Sequence, residues 1–245
     1  MKEERHIDKK KKRVYAAMCA ALAALEIAAF YLCLHGLAAP VSVLAAANAK
    51  IVIDAGHGGI DGGVTGKYTG VKESDLNLEI AYLTAEKFRE AGFEAVLTRK
   101  TSEGLYGTAA KGFKKRDMQK RREIIEEARP AVVVSIHQNF YPSSFSRGAQ
   151  AFYLKGSETG ANLAECLQES LNKLYGGRGA PKRNKATGDF FMLSCSEYPS
   201  SLVECGFLSN AKDERLLTSD EFKTEIARAI VGGVIAYFAG ENQSA

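Results

Sequence analysis

Unbalanced charge is scarce in this chain of 245 residues. The formal net charge is +4, and residues Met1–Arg13, with seven Lys/Arg against three Asp/Glu, supply all of it. The rest of the chain is balanced. That argues against nucleic acid as the main partner, because neutralising phosphates needs a basic face on the folded domain itself. Cysteine is also sparse. Cys19 and Cys33 fall in an apolar N-terminal stretch, leaving Cys166, Cys195 and Cys205, an odd number without CxxC spacing. This excludes a disulfide framework and a zinc–cysteine site, and the three are expected as small buried hydrophobes. No internal repeat and no low-complexity tract is present. The HExxH motif is missing too, so any metal site must draw its histidines from separate elements.

What is present begins with a leader. Met1–Arg13 is basic and ends in KKKKR, and Val14–Leu34 is 21 mostly apolar residues broken by Glu26. A span of about 20 apolar residues can cross a bilayer. Basic residues before it keep the N-terminus in the cytoplasm and send the bulk of the chain outside. Ala47-Asn48-Ala49 is a small-x-small site of the kind cleaved after a signal peptide. Signal peptide and uncleaved membrane anchor are both open, and both predict export. The expected division is residues 1–49 as basic segment plus signal peptide or anchor, 50–240 as the catalytic domain and 241–245 as a tail.

After Lys50 strands and helices alternate. Strands are expected at Ile51–Asp54, Glu94–Thr98, Ala131–Ile136, Ala149–Leu154, Phe190–Leu193 and Ser201–Glu204. Helices are expected from a Ser74 or Asp75 cap to about Ala91, then at Lys114–Arg129, Glu158–Tyr175 and Glu221–Phe238. Ala131–Ile136, AVVVSI, has the continuous apolar character of a strand buried on both faces. Lys100–Phe113, Gln138–Arg147 and the basic Gly179–Asp189 read as loops. The alternation predicts a three-layer α/β domain: a twisted, mostly parallel (mixed) sheet with helices on both faces.

The stretch Ile51–Gly63, IVIDAGHGGIDGG, delivers His57 into a glycine-rich turn after strand one. It lacks the Gly-Lys-Ser/Thr ending of a phosphate-binding loop and the GxxG of a dinucleotide fingerprint. His137 follows the central strand, Glu204 ends the last one, and Glu73 lies in the connection leading from the His57 turn to the first helix. In a mostly parallel sheet the three strand ends open on one edge, where sites gather. Two histidines and a carboxylate are a ligand set for catalytic zinc with an open position. A remaining carboxylate is the general base such a site needs. Each residue also has a plainer reading as a loop hydrogen-bonder. Glu204 resists that reading most, since a carboxylate on an apolar strand costs desolvation unless something binds it.

The segments IDAGHGG (Ile53–Gly59), KESDLNLEIA (Lys72–Ala81), SIHQN (Ser135–Asn139) and VECGFLSN (Val203–Asn210) occur in one order. By them the chain resembles the zinc-dependent N-acetylmuramoyl-L-alanine amidases of the amidase_3 class. KGFKKRD (Lys111–Asp117) and GAQAFY (Gly148–Tyr153) are similar to those of spore-cortex amidases of endospore formers. The resemblance implies a sheet of about six strands and cleavage of the amide between the lactyl group of N-acetylmuramic acid and L-alanine in peptidoglycan. It implies Zn2+ held by His57, Glu73 and His137, with Glu204 as the catalytic carboxylate. It also implies a role in forming muramic-δ-lactam, with a partner deacetylase acting downstream. Competing readings are a zinc carboxypeptidase or endopeptidase on wall peptides, and an inactive membrane-tethered wall-binding module. Lys111–Arg116 and Lys182–Lys185 are candidates to line a groove for an anionic strand, Phe140 and Tyr141 to pack on sugar or peptide, and Asn139 to orient the site; for each, ordinary loop packing or solvated charge is the competing reading.

Overall fold

The computed structural model describes residues 49–241. The expected leader before Ala49 and the tail after Glu241 lie outside the described residues. In chain order the elements are β1 (Lys50–Ala55), α1 (Glu73–Glu90), β2 (Glu94–Leu97), α2 (Phe113–Ala128), β3 (Val132–Asn139) and β4 (Gln150–Tyr153). There follow α3 (Glu158–Gly176), β5 (Ala186–Thr187), α4 (Phe191–Ser194), β6 (Ser200–Phe207), α5 (Ala211–Leu217) and α6 (Asp220–Glu241). The six strands form one sheet in the order β2-β1-β3-β6-β4-β5. The neighbours β2, β1, β3 and β6 run parallel, and β4 is antiparallel to β6. The mixed, mostly parallel α/β sheet expected from the sequence is therefore present. No helix among the described residues is long and apolar enough to cross a membrane.

The two faces are covered unequally. On one, Ile51, Ile53, Val134, Ile136 and Val203 pack with α1, α3 and α6 in the main core. The α6 residues Phe222, Ile226, Ile230, Val234 and Tyr237 recur at helical spacing and are all buried. Each such side chain stabilises by about 1.5–3 kcal/mol. On the other face a small cluster, Val52, Val133, Ile125, Met192 and Cys195, packs β1 and β3 against α2 and α4. Cys195 and Cys205 are buried and Cys166 half-buried, as small hydrophobes should be.

Side chains alternate across a strand. Asp54 pairs in register with Ser135, Ser135 with Leu202, and His137 with Glu204. All five therefore project toward the thinly covered face. Beyond α2 and α4 that face is open, and the C-terminal parts of β3 and β6 carry His137 and Glu204 into the opening.

Several local expectations need correction. Phe190–Leu193 is not a strand: Phe191–Ser194 is the short helix α4. The loop Gly179–Asp189 contains β5, a two-residue edge strand beside β4. Neither Ser74 nor Asp75 caps α1. The helix begins at Glu73 after an extended Lys72 whose side chain makes no cap bond. Glu73 is thus the first residue of a helix rather than a loop residue. The strands β3 and β6 run three residues past their expected ends, so His137 and Glu204 sit within them. The helix α5 follows Asn210, whose side-chain oxygen accepts from the Lys212 and Asp213 amides at 3.0 and 3.1 Å, an N-cap.

Candidate metal centre and catalytic carboxylate

His57 leaves β1 in the left-handed region, with φ 63°. Histidine tolerates this conformation better than most residues. Two buried arginines hold the turn by its backbone. Arg99 donates Nε to the Ala55 carbonyl at 2.9 Å and Nη2 to the Gly56 carbonyl at 3.1 Å. Arg121, on α2, donates Nη1 to the Ala55 carbonyl and Nη2 to the His57 carbonyl, both at 2.7 Å. Arg121 is wholly buried and balanced by Asp54 at 2.5 Å and Asp117 at 2.6 Å. Asp54 also accepts from the Thr98 and Ser135 hydroxyls. The charge is satisfied on every side, which buried ions require.

The ligand candidates converge here. One ligand atom each from His57, Glu73 and His137 lies within 4.8 Å of the others, a spacing that could hold a metal ion. Glu73 Oε1 is 3.2 Å from His57 Nε2 and 3.0 Å from His137 Nδ1. The carboxylate is further fixed by the Val64 amide at 2.9 Å and the Gln138 amide at 3.1 Å. Burial works to raise the Glu73 pKa, but hydrogen bonds and charge from His137 and His57 outweigh it and hold the carboxyl well below its usual range. Two glycines make room. A Cβ on Gly56 would lie 2.3 Å from His137 Nε2, and one on Gly63 would lie 2.5 Å from Glu73 Oε2.

Glu204 stands beside His137 in register and lines the same cavity of about 490 Å³ as the three ligand candidates. Its Oε2 is buried with no hydrogen-bond partner. Desolvation pushes its pKa up to about 7, against the pull of His137. An acid–base group poised near neutrality and unspent on structural bonds suits proton transfer.

All four residues singled out from the sequence thus line one cavity. Of the secondary candidates, Asn139, Phe140 and Lys114 line it as well, while Tyr141 does not. Arg116 is turned back onto the carbonyls of Tyr106, Thr108 and Lys111. Lys185 pairs with Glu165 on α3, away from the site. Sequence reasoning missed Asp61. Its Oδ1 is 3.1 Å from His57 Nδ1, and its Oδ2 is 3.2 Å from Lys114 Nζ. A carboxylate on the far nitrogen fixes the tautomer and orientation of a ligating histidine. It also missed the Arg99–Arg121 clamp. The available signal was Asp54, a carboxylate in an apolar strand that had to find a cation.

The geometry has counterparts. The family model Amidase_3, described as N-acetylmuramoyl-L-alanine amidase, matches residues 51–236. The germination-specific N-acetylmuramoyl-L-alanine amidase of Bacillus subtilis (strain 168) is 29% identical over 191 residues, covering 77% of this chain and 79% of that protein. Among solved structures, the CwlD amidase from Clostridioides difficile in complex with the GerS lipoprotein is 34% identical with a TM-score of 0.73. That match covers 78% of this chain and 99% of that one. The catalytic domain of CwlV, an N-acetylmuramoyl-L-alanine amidase from Bacillus (Paenibacillus) polymyxa var. colistinus, is 28% identical with a TM-score of 0.68, covering 78% and 98%. The chain belongs to the Amidase_3 family of N-acetylmuramoyl-L-alanine amidases.

Proposed function

We propose that His57, Glu73 and His137 hold a zinc ion and that Glu204 moves the proton in hydrolysis of the N-acetylmuramoyl–L-alanine amide of peptidoglycan. One observation carries this reading: three ligand atoms within 4.8 Å of one another share a cavity with a carboxyl whose Oε2 is buried and unpartnered. Two imidazoles and a carboxylate fit zinc and leave a position open for chemistry. Bound there, the ion supplies a Lewis acid for the amide carbonyl and lowers the pKa of water.

The chain's own groups do the rest. Glu204 accepts the proton of the attacking water. It then returns that proton to the departing alanine amine, a step helped by burial, which favours its protonated form. Glu73 stays ionised, because its hydrogen bonds favour the charged form. Asp61 holds His57 with Nε2 toward Glu73 and Nδ1 toward itself. Arg99 and Arg121 keep the His57 turn from relaxing.

The relatives' names support a spore setting: one is a germination-specific amidase and another an amidase in complex with a lipoprotein. In that setting the peptide leaves, the stripped N-acetylmuramic acid that remains in the glycan is the substrate of a downstream deacetylase, and an accessory protein engages this domain. The basic and apolar leader sends the domain out of the cytoplasm, as a cleaved signal peptide or as an anchor. Muropeptide product analysis tests the reaction. A free lactyl carboxyl and a new alanine amino terminus are expected. Cleavage between two peptide residues would instead establish a carboxypeptidase or endopeptidase. Binding without any cleavage in the presence of zinc would establish an inactive wall-binding module.

A further inference from the structure

Two cavities meet at the site. The larger contains Glu73, His137 and Glu204. The smaller, about 190 Å³, starts at His57 and His137 and runs beneath α2 and α4. Its walls are mostly apolar, from Phe113, Met118, Phe191, Met192 and Leu202. Proton transfer by Glu204 makes no use of it. Phe190 lines both cavities.

The Phe190 ring is 36% exposed yet fixed in place. It meets Phe152 edge-to-face with centroids 5.4 Å apart. On another side it lies so close to Gly188 that a Cβ there would be 2.3 Å from Phe190 Cε2. An aromatic ring already ordered before binding loses little entropy when a ligand packs on it. Its neighbour Met192 is anchored in the small core with Val52 and Val133. The partition between the cavities is therefore rigid, and the smaller cavity has a defined size.

We propose that Phe190 is a specificity-determining residue, and that the smaller cavity takes a methyl-bearing substituent of the substrate flanking the scissile amide. This rests on the amidase reading above. A charged substituent would lose its hydration against these walls. Asp54, Asp117 and Arg121 also line it but are spent on one another, and the two charged groups at the rim shared with the larger cavity, Asp61 and Lys114, already face each other. Three substituents near the amide share the required chemistry: the lactyl methyl, the alanine methyl and the acetamido methyl of the sugar.

The test measures kcat/KM on a disaccharide–peptide and on three analogues: glycolyl for lactyl, glycine for alanine, and formamido for acetamido. It compares the wild-type protein with Phe190→Ala, which merges the cavities, and Met118→Trp, which fills the smaller one. Wild type is expected to prefer one methyl-bearing form by about tenfold or more, the scale of one methylene in an apolar pocket. Both variants should reduce that preference to about threefold or less, with zinc stoichiometry unchanged. Equal turnover of all four substrates by wild type overturns the proposal. So does a preference that survives in both variants. If Phe190→Ala fails to fold, Met118→Trp decides alone. A wild-type protein that cleaves none of the four defeats the amidase reading instead.

Discussion

Replacing Glu204 by glutamine separates the two properties of this side chain, its cost to the fold and its use in the reaction. The folded carboxyl has a pKa of about 7, against 4.5 for an ordinary glutamate. Well below pH 4.5 it is protonated in folded and unfolded chains alike, and it costs nothing. As pH rises toward 7 the unfolded chain gives up its proton while the folded protein keeps it, so stability falls by about 1.4 kcal/mol per pH unit. Above pH 7 the loss levels off at about 3 kcal/mol. Glutamine keeps the shape and removes the titration. Urea unfolding of the zinc-free protein at pH 5 and pH 8 measures this directly. Relative to wild type, Glu204→Gln should gain about 2–3 kcal/mol between the two conditions, part of the loss being already present at pH 5. Added zinc should narrow the difference, because a nearby cation favours the ionised form. The same variant should keep its zinc and lose turnover. If wild type and variant lose stability in parallel from pH 5 to pH 8, the carboxyl is not desolvated as described, and its role as a poised base loses its physical ground.

Other perturbations probe the rest of the site. His57→Ala and His137→Ala should each lower bound zinc well below one per chain; unchanged metal content by elemental analysis would remove them from the ligand set. Asp61→Ala should weaken zinc binding about 10–100-fold in chelator competition, whereas Asp61→Asn, which can still accept from His57 Nδ1, should recover much of it; equal loss in both would deny the orienting role. Arg121→Ala strands Asp54 and Asp117 without their cation and should cost about 3–5 kcal/mol in chemical denaturation, and a change under 1 kcal/mol would show the network to be dispensable.

The strands that bear His137 and Glu204 and the one that leads to His57 were legible because each residue is tied to an apolar run that has no alternative to burial. Their convergence needed only the assumption of parallel strands. The sequence could not show that β6 lies next to β3, which sets His137 beside Glu204. Phe190–Leu193 misled because a short apolar run has no period with which to tell strand from helix. Arg121 was hidden by its surroundings: in KKRDMQKRREIIEEA most charges are solvated, and the three-dimensional position of Asp54 selects Arg121, with its partner Asp117, for burial. Asp61 was hidden because a carboxylate in a glycine-rich loop looks like every other loop carboxylate.

The clamp of Arg99 and Arg121 on the carbonyls of Ala55, Gly56 and His57 has a thermodynamic corollary. In a small zinc finger the ion's binding energy is folding energy, and a chelator denatures the domain. Here two guanidinium groups already hold the backbone that presents His57, and the main core lies on the opposite face of the sheet. A metal bound at this site would add to stability by mass action, but the fold does not depend on it to form. On the zinc reading proposed above, a chelator would silence the chemistry and leave the fold that receives the ion intact.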